Sequence, residues 1–486
     1  MTVLYRFYGF ISGINLILYM LLVMGVFWLI GGVLTLPGIA ALVLGIGMAV
    51  DSCVITNERI KESLEEGNSL KVAFKDGNKQ SWSSIFDANV TTLIVAIVLF
   101  IFGESSVKGF ATMLMITIFA TMFIMVFINR LILSGFVKTG RFDENPNKFV
   151  KYLKKNKEKR KKVNVKAVEI TKKCFTITLI YLVIGVIYLA VNGFNLGIDF
   201  RSGSDVTIKA DKITVSDVKK DFKKLKYDVV SLEKQENDEI YVRLNTELKE
   251  NGINKVNNYF EDKYNAKTEI NVVTDIVKQD LVKNAFYSVV IAAIAIIIYI
   301  SFRFKFSYAI SSITTLLHDV LLVMALFSIF KIEVNVIFIA AILTVIGYSI
   351  NNTIVVFDRI REKQGKYKGK FTKESLKEIV DDSVSDTITR SLYTTITTLI
   401  PVVCLIILGS KGILPFNIAI IIGLVAGFYS SSFLAPQLWY KIESKNFPID
   451  ERISVKKKIE VKEDSKASEE KKKTTKKKLK KKKNKK

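Results

Sequence analysis

One acidic side chain lies within an apolar stretch of the sequence and is the strongest candidate for chemistry. Asp51 follows an apolar run that begins near Gly38, and it precedes the charged pair Glu58-Arg59 by more than a helical turn. An ionisable group within a membrane span costs about 2.5–3.5 kcal/mol at a helix centre, so such groups are functional by default. Burial disfavours the charged form, which would let Asp51 alternate between charged and neutral states. This is the minimum requirement of a proton-carrying site; permanent structural pairing with a basic group is the alternative.

Four further ionisable residues lie in or beside apolar stretches. Arg390 lies at the predicted cytoplasmic-side start of the 388–409 stretch and could pair with Asp51 across the repeat interface. Asp87 precedes another, where an acid also favours the helix macrodipole and satisfies open N–H groups, so a proton role and a helix-start role are both open. His318 and Asp319 interrupt a third stretch. A lone histidine in a span is often a packing residue, so both a proton role and a packing role remain for this pair.

Two segments 300 residues apart read alike, which predicts an internal repeat. The first copy spans 46–62 and the second 346–362, and a further match relates 91–94 to 397–400. Both copies run in the same direction across the membrane, so the repeat is parallel, as in coupled transporters whose working residues lie between the halves. The repeat-motif positions that we single out are Gly47, Gly347, Asn351, Asn352, Asp358 and Arg359.

The composition argues against several classes of protein. Of 486 residues half are hydrophobic, yet the net charge is +25. The three cysteines, Cys53, Cys174 and Cys404, form no CxxC pair and offer no disulfide framework. His318 is the only histidine, which argues against a zinc site built from His and Cys. The sequence contains no phosphate-binding loop or dinucleotide fingerprint, so we expect no cofactor, no metal and no enzyme in the usual sense.

Apolar runs of about 20 residues predict membrane helices. The short basic connections between them all fall on one side of the membrane, which is therefore predicted to be cytoplasmic together with the C-terminus. Ten such runs occur, approximately at 10–33, 38–57, 88–108, 109–133, 174–192, 283–302, 307–330, 334–357, 388–409 and 413–440.

A long insert between the fifth and sixth spans has the composition of a soluble domain. Its alternation and helix caps predict the order β-α-β-β-α-β of a small ferredoxin-like domain on the outer side. The predicted fold class is therefore an α-helical polytopic membrane protein with a parallel repeat and a small α+β extracytoplasmic domain. We divide the chain into four spans (1–133), a basic linker (134–173), a span (174–192), the domain (193–282), five spans (283–440) and a Lys-rich tail (441–486).

Two Lys-rich segments, 134–173 and 456–486, hold most of the excess positive charge. Such segments cannot bury a core, so we expect disorder there. The simplest role is a solvated flank that fixes topology, accompanied by attraction to anionic lipid head groups. Contact with ribosomes is compatible with the charge, but no interleaved aromatic residues are available to stack on bases.

Several motifs together resemble the SecD and SecF proteins of the protein-export family. The stretch from Gly47 to Asp51, with Glu58-Arg59 after it, resembles the fourth membrane helix of SecD. The segment 197–203 is similar to the start of the SecF extracytoplasmic domain. Further similar segments are 87–92, 107–111, 317–320, 344–349, 357–360 and 429–431. The resemblance covers about residues 1–440, so the chain is identified as a SecD/SecF family member in which a short SecD half precedes SecF.

The resemblance implies a fold of the resistance-nodulation-division type, use of the proton-motive force, and help in late translocation of preproteins across the bacterial plasma membrane. It also implies partnership with the SecYEG channel, with SecA and with a YidC-like insertase. By motif matching, the proton-site aspartate of SecD falls on Asp51. The SecF arginine thought to act with it falls on Arg390.

The sequence departs from the family pattern at three points. The SecD half of the family begins with a membrane helix, a large extracytoplasmic domain and a second helix, whereas residues 1–133 match only the later spans of that half. A separately encoded SecD N-terminal portion is therefore an expected partner, with truncation as the alternative. Asn352 stands where SecF has an aspartate, which puts a two-acid proton relay in doubt. The SecD motif reads Asp51-Ser52-Cys53 rather than Asp-Ala-Asn.

The sequence thus predicts an accessory subunit of the Sec translocase in which Asp51 takes up protons. One alternative is a proton-driven lipid or drug exporter of the same superfamily. The other is a passive scaffold for the translocase without proton coupling, which the loss of an acid at Asn352 favours.

Overall fold

The protein is described by a computed structural model that covers residues 2–103, 105–151, 167–210, 213–234, 239–369 and 371–445. Within these residues ten helices are long and apolar enough to cross a membrane, which confirms the predicted multi-pass architecture. The first half contains α1 (Thr2–Leu29), α2 (Leu36–Glu65), α3 (Leu70–Phe102), α4 (Ser105–Ala120), a π-helical segment (Thr121–Ile128), α5 (Asn129–Lys138) and the short α6 (Pro146–Phe149).

The predicted ferredoxin-like domain is confirmed. Its strands form one antiparallel sheet in the order β3-β4-β2-β5. Alternation places Val206 and Val242 opposite each other in that sheet, and both are buried against Phe222 and Phe260 from the two helices. This part of the chain comprises α7 (Ala167–Asn192), β1 (Asn195–Leu196), α8 (Ile198–Arg201), β2 (Gly203–Lys209), α9 (Val215–Lys224), β3 (Val229–Lys234), β4 (Glu239–Leu244), α10 (Glu250–Tyr264) and β5 (Lys267–Val273).

The second half is built around one enclosed helix. In α13 (Val336–Lys366) the residues 340–357 are all buried, because α3, α12 (Phe306–Ile329), α14 (Lys373–Leu408) and α15 (Leu414–Tyr429) surround this helix. The last span of this half, like the last span of the first half, contains a π-helical segment. The elements are α11 (Asp275–Arg303), α12 (Phe306–Ile329), β6 (Glu333–Val334), α13 (Val336–Lys366), α14 (Lys373–Leu408), α15 (Leu414–Tyr429), a π-helical segment (Ser430–Leu434) and α16 (Ala435–Glu443).

Four helices extend well beyond the apolar runs that predicted them. The connection between the predicted spans 38–57 and 88–108 is almost entirely helical, because α2 ends at Glu65 and α3 begins at Leu70. The connection between the predicted spans 334–357 and 388–409 is likewise occupied by the ends of α13 and α14. Hydropathy marks only the part of a helix at lipid depth, whereas Glu, Lys and Arg continue a helix into water without penalty. The helices therefore form two hairpins, α2–α3 and α13–α14, whose connected ends lie beyond the apolar runs.

The basic connection at 134–173 is more ordered than its composition predicts. Its described ends are helical, and Phe149 is fully buried with its ring 6.1 Å from the rings of Phe7 and Tyr8. Disorder is thus the wrong expectation for 134–151, because aromatic anchors among the lysines pack onto α1. The central part, 152–166, and the tail from 446 onwards lie outside the described residues.

Close packing between α13 and α15 depends on glycine. Gly423 of α15 faces Val345 of α13, and a Cβ atom at this position would overlap the Val345 side chain. One turn further on, a Cβ atom at Gly427 would lie 3.3 Å from the Cα atom of Ser349. These two positions form a small-xxx-small contact face.

Replacement of Gly423 tests this packing. We expect Gly423→Ala to destabilise the protein by about 1–3 kcal/mol, because the added methyl group forces α13 and α15 apart. Thermal unfolding of the full chain in detergent measures the effect. The matched control is Gly25→Ala in α1, where an added Cβ has no neighbour within 4 Å. Equal unfolding temperatures for the two variants would contradict the close contact.

Candidate functional site

The two copies of the repeat contact each other reciprocally. Gly47 of α2 packs on Thr398 of α14, where an added Cβ would lie 3.2 Å from the Thr398 Cγ2 atom. Gly347 of α13 packs on Thr92 of α3, where the corresponding distance to Thr92 Oγ1 is 3.5 Å. Because Gly347 repeats Gly47 and Thr398 repeats Thr92, the halves face each other across an approximate two-fold axis. The predicted parallel repeat is therefore confirmed.

Asp51 lies on α2 at this interface and is only 6% exposed. Thr394 of α14 donates a hydrogen bond of 2.6 Å from its Oγ1 atom to Asp51 Oδ1. Asn351 of α13 donates a longer one of 3.5 Å from Nδ2 to Asp51 Oδ2. Both donors are neutral and both belong to the second half. The carboxyl group of one half is thus held by the other half.

A small cavity adjoins this carboxyl group. Its volume of about 20 Å³ is sufficient for a single water molecule. Residues of α2, α3 and α13 form the wall, so the cavity also lies between the halves. A group that exchanges protons needs a hydrogen-bonding neighbour or a water within reach. The lining includes Met48, Asp51, Ser52, Asn89, Tyr348 and Asn351.

Arg390 is close enough to Asp51 for the two charges to interact. The prediction that Arg390 lies at the start of its helix is wrong, since α14 begins at Lys373 and Arg390 lies deep in it. Arg390 and Thr394 are four residues apart and therefore share a helix face. Arg390 is 8% exposed, and within the described ranges its Nη2 atom has no hydrogen-bond partner. Thr394, rather than Arg390, makes the direct contact with Asp51, which leaves a buried cation one turn away.

Asp87 is paired elsewhere. Arg303 of α11 donates from Nε to Asp87 Oδ2 at 2.8 Å, and the Tyr299 hydroxyl donates to Asp87 Oδ1 at 2.8 Å. The helix-start interpretation is wrong, because α3 begins at Leu70 and Asp87 lies in its middle. Asp87 therefore fastens α3 to α11.

The charged ends of the repeat motifs also bind each other reciprocally. Arg59 of α2 donates to Glu362 of α13 at 3.3 Å, and Arg359 of α13 donates to Glu62 of α2. Arg359 further contacts Asp386 of α14 at 2.9 Å. The repeated residues thus exchange partners across the axis and join the two hairpins.

Asp358 is bound differently from its neighbour Arg359. Its Oδ1 atom accepts a hydrogen bond of 2.6 Å from Arg361 on the same helix, and its Oδ2 atom accepts one of 3.4 Å from Ser84 on α3. Asn352 is buried at 6% exposure on the same helix. The amide that reaches Asp51 is nevertheless that of Asn351.

His318 and Asp319 form a second buried polar cluster. Asp319 is completely buried, and its Oδ2 atom accepts hydrogen bonds from Ser349 of α13 and, at 2.7 Å, from Ser430. Its Oδ1 atom lies 2.8 Å from His318 Nδ1, and the other ring nitrogen of His318 contacts the Tyr181 hydroxyl. The structure thus separates this pair from Asp51, with α13 between the two sites.

The ferredoxin-like domain is joined to the second half by polar contacts. Asp199 accepts a hydrogen bond of 3.0 Å from the backbone N–H of Val336, the first residue of α13. Arg243 in β4 donates to Asp205 and to Glu333, at 3.1 Å each. Glu333 belongs to β6, which pairs in parallel with β1. The domain therefore contacts α13 at the end opposite to the charged hairpins.

This connection places three acids around a single arginine. Burial raises the pKa of Asp205 to about 6, although its hydrogen bond with Arg243 acts in the opposite direction. Burial likewise raises the pKa of Asp199, opposed by the hydrogen bond from Val336. The net charge of this cluster of carboxyl groups and Arg243 therefore changes at mildly acidic pH.

Sequence reasoning missed several partners of the predicted residues. Thr394 is a hydroxyl-bearing residue in an apolar span. The cluster of threonines at 394–398 is the sequence feature that could have indicated a partner for Asp51. Ser349 and Ser430 lie in the SecF-like segments 344–349 and 429–431, which did not indicate what they contact. Tyr181 carried no signal, because a single polar residue in a span is common and the direction it faces is set by packing. Reciprocal pairing of Arg59 and Arg359 was implicit in the repeat.

The bundle defines a class of protein: a multi-pass membrane protein of two sequence-related halves, with ionisable groups buried between them. The C-terminal region of the protein-export membrane proteins SecD/SecF matches residues 1–139 and 253–445 of this chain. The SecD/SecF GG motif matches residues 187–212. The chain therefore belongs to the SecD/SecF protein-export family, as its motifs predicted.

Individual relatives support this assignment. The protein translocase subunit SecDF of Bacillus subtilis is 43% identical over 448 residues, which are 90% of this chain and 61% of the relative. The SecDF of Brucella abortus is 32% identical over 90% of this chain and 57% of its own length. The chain thus spans about three fifths of the length of these relatives.

Solved structures agree with the fold. The crystal structure of SecDF from Thermus thermophilus, described as a translocon-associated membrane protein, superposes with a TM-score of 0.80 at 29% identity. The superposition covers 92% of this chain and 60% of that one. A SecDF in the super-membrane-facing form superposes with a TM-score of 0.70 at 27% identity. The predicted resistance-nodulation-division-like bundle is therefore confirmed.

The raised pKa of Asp205 predicts how the stability of the domain depends on pH. Because the folded pKa exceeds the ordinary value, ionised Asp205 costs stability above about pH 6, and this cost disappears as the pH falls. Relative to Asp205→Asn, which cannot ionise, the wild type should gain up to about 3 kcal/mol between pH 8 and pH 4. Hydrogen exchange of β2 and β4 in the full chain, corrected for intrinsic rates, measures the difference.

Asp262→Asn is the matched control, since this exposed residue of α10 lies outside the cluster. A difference between wild type and Asp205→Asn that stays constant with pH would contradict the prediction.

Proposed function

We propose that this protein is an accessory subunit of the bacterial Sec translocase that uses the proton-motive force to assist preprotein translocation across the plasma membrane. The observation that carries the proposal is the placement of Asp51, buried between two repeated halves and hydrogen-bonded by Thr394 and Asn351 of the opposite half. Membership of the SecD/SecF family supplies the protein-export context. The family assignment also disfavours a lipid or drug exporter.

Proton binding at Asp51 changes the contact between the halves. The ionised carboxylate accepts hydrogen bonds and attracts the buried guanidinium of Arg390. The protonated form is neutral and itself a donor, so the attraction to Arg390 is lost. Each proton that binds or leaves therefore alters the forces between α2 on one side and α13 and α14 on the other.

The available energy is sufficient to move this equilibrium. One elementary charge crossing 100 mV yields about 2.3 kcal/mol, which biases a two-state equilibrium roughly 50-fold. No covalent bond needs to form or break. The work is therefore conformational, and the protein is not an enzyme in the usual sense.

Helix α13 is the element that carries the change to the outer side. Its first residue is bound by Asp199 of the domain segment, and Asn351 in its middle contacts Asp51. A shift of α13 driven by protonation therefore moves the attachment point of the extracytoplasmic domain. That domain lies where an emerging preprotein would be received.

The proposed partners come from the family assignment. The SecYEG channel, SecA and a YidC-like insertase are the components with which an accessory subunit would work, and the preprotein is the cargo. Basic short connections and the Lys-rich tail support a cytoplasmic C-terminus close to anionic lipids.

A passive scaffold for the translocase is the second candidate. Asn351 and Asn352 are both neutral in the second half, so the site contains one acid where a relay would use two. A scaffold would still bind its partners when Asp51 is neutralised, and its contribution to translocation would not change.

Neutralisation of Asp51 separates these functions. In membrane vesicles that lack their own SecD and SecF, we expect Asp51→Asn to remove the stimulation of preprotein translocation by the membrane potential, because the residue can no longer alternate in charge. ATP-driven translocation without a potential should be unchanged. Asp143→Asn, which alters an exposed acid of the same chain, is the matched control. Potential-dependent export that persists in Asp51→Asn would favour the scaffold.

The hydrogen bond from the opposite half has its own test. Thr394→Val keeps the side-chain shape but removes the donor to Asp51 Oδ1. We expect a partial loss of the potential-dependent stimulation, because the carboxylate loses one stabilising contact of about 1–3 kcal/mol. Thr397→Val, three residues further along α14, should behave like the wild type, because the Thr397 hydroxyl bonds only its own helix.

A further inference from the structure

A chain of hydrogen bonds around the only histidine forms a second buried site. Ser349 and Ser430 donate to Asp319, Asp319 contacts His318 Nδ1, and His318 Nε2 contacts the Tyr181 hydroxyl. His318 is 7% exposed and Asp319 is fully buried. We propose that His318 and Asp319 are a second proton-binding site, in which the proton is held on His318 Nε2. The inference rests on the proposed function, since it adds a site to the same proton-driven machine.

The donors around Asp319 fix how the pair is protonated. Both serine hydroxyls donate to Oδ2, and an ionised carboxylate can only accept. Three donors, with His318 Nδ1–H as the third, match an ionised Asp319. The neutral imidazole then keeps its lone pair on Nε2, where the Tyr181 hydroxyl donates to it.

An arriving proton has one place to bind. It adds to the Nε2 lone pair, and the Tyr181 hydroxyl turns from donor to acceptor without any covalent bond breaking. The imidazolium formed lies against the Asp319 carboxylate, so the pair becomes neutral overall. Within a low-dielectric bundle a neutral pair is favoured over an isolated buried anion.

The surroundings of His318 supply few other titratable groups. Tyr181 and Cys174 lie on α7, and Tyr429 at the end of α15 has its ring 6.3 Å from the imidazole. The Tyr429 hydroxyl is engaged with Thr178 at 2.9 Å and with the backbone carbonyl of Cys174. Among the residues that the structure describes, α13 and the π-helical segment face the pair with Ser349 and Ser430, neither of which titrates.

The corresponding place in the first half is neutral. There α1 ends at Leu29 as α12 ends at Ile329, and the repeat offset of 300 residues places the fully buried Tyr19, not an acid, at the position of Asp319. The first half therefore carries its buried acid on α2, at Asp51, and the second half carries its own on α12, at Asp319. The repeat is symmetric in packing but not in the position of its acid.

Helix α13 is in contact with both sites. Ser349 donates to Asp319, whereas Asn351, two residues further on, donates to Asp51. Residues two apart point to different faces of a helix, so α13 lies between the two acids. Protonation at either site alters a hydrogen bond to this one helix.

The single histidine makes the site directly observable. The full chain, labelled with ¹⁵N-histidine, purified by a histidine-free tag and placed in unlabelled lipid nanodiscs, gives one imidazole in nuclear magnetic resonance spectra. As the pH is lowered, we expect the Nε2 signal to move reversibly from an unprotonated to a protonated nitrogen, while Nδ1 stays protonated. Asp319→Asn should lose the protonated Nε2 signal at pH values where the wild type shows it.

A conservative variant keeps the test independent of folding. Tyr181→Phe removes only the hydroxyl that contacts Nε2, so the unprotonated Nε2 signal should shift. Tyr188→Phe on the same helix, whose ring faces Lys331 instead, should leave the spectrum unchanged. An imidazole that keeps an unprotonated Nε2 at every pH at which the protein stays folded overturns the proposal, as do spectra that respond to pH identically in wild type and Asp319→Asn. Because the spectra are recorded without export, they remain informative if Asp51→Asn shows that translocation is not proton-driven.

Discussion

The structure depends on a carboxyl group whose hydrogen-bond donors belong to the other half of the molecule. Asp51 is buried at the contact of α2 with α13 and α14, and neither of its two donors is on its own half. A buried carboxylate without donors is strongly unfavourable, so the halves must stay in register as long as Asp51 is charged. The glycine contacts at Gly47 and Gly347 provide that register by allowing the helices to approach closely.

The repeat supplies symmetric packing, and the charges break that symmetry. Glycine–threonine contacts and arginine–glutamate pairs occur in two equivalent copies, at the middle and at one end of the bundle. The buried acids do not occur in two copies. Asn351 occupies the repeat position equivalent to Asp51, and the position on α1 equivalent to Asp319 is not acidic. Because the two halves pack alike but carry different charges, tilting one half against the other gives a different arrangement from the reverse tilt. With a symmetric charge distribution the two arrangements would be equivalent.

Hydropathy and the repeat predicted the ten spans, the parallel arrangement and the position of Asp51, because burial in lipid leaves a strong compositional signal. Alternation predicted the domain, since each strand of its sheet has one face on the core. The residues that contact Asp51 could not be predicted from the sequence. Thr394 is 343 residues from Asp51, and which face of α14 carries it depends on the packing of the helix. Arg390 and Asp87 were misplaced on their helices because charged turns extend α3 and α14 past the apolar runs.

The π-helical segments in the last span of each half have a geometric consequence. A π-turn contains one residue more than the α-turn that it replaces, so all residues beyond it are rotated by about 100° relative to an uninterrupted α-helix. In the second half Trp439 follows the π-helical segment and is fully buried, and it stacks on Tyr308 of α12 with the ring centres 5.0 Å apart. Deleting a single residue from 430–434 would turn the indole away from Tyr308. The extra residue of the π-turn thus determines which face of α16 is directed at α12.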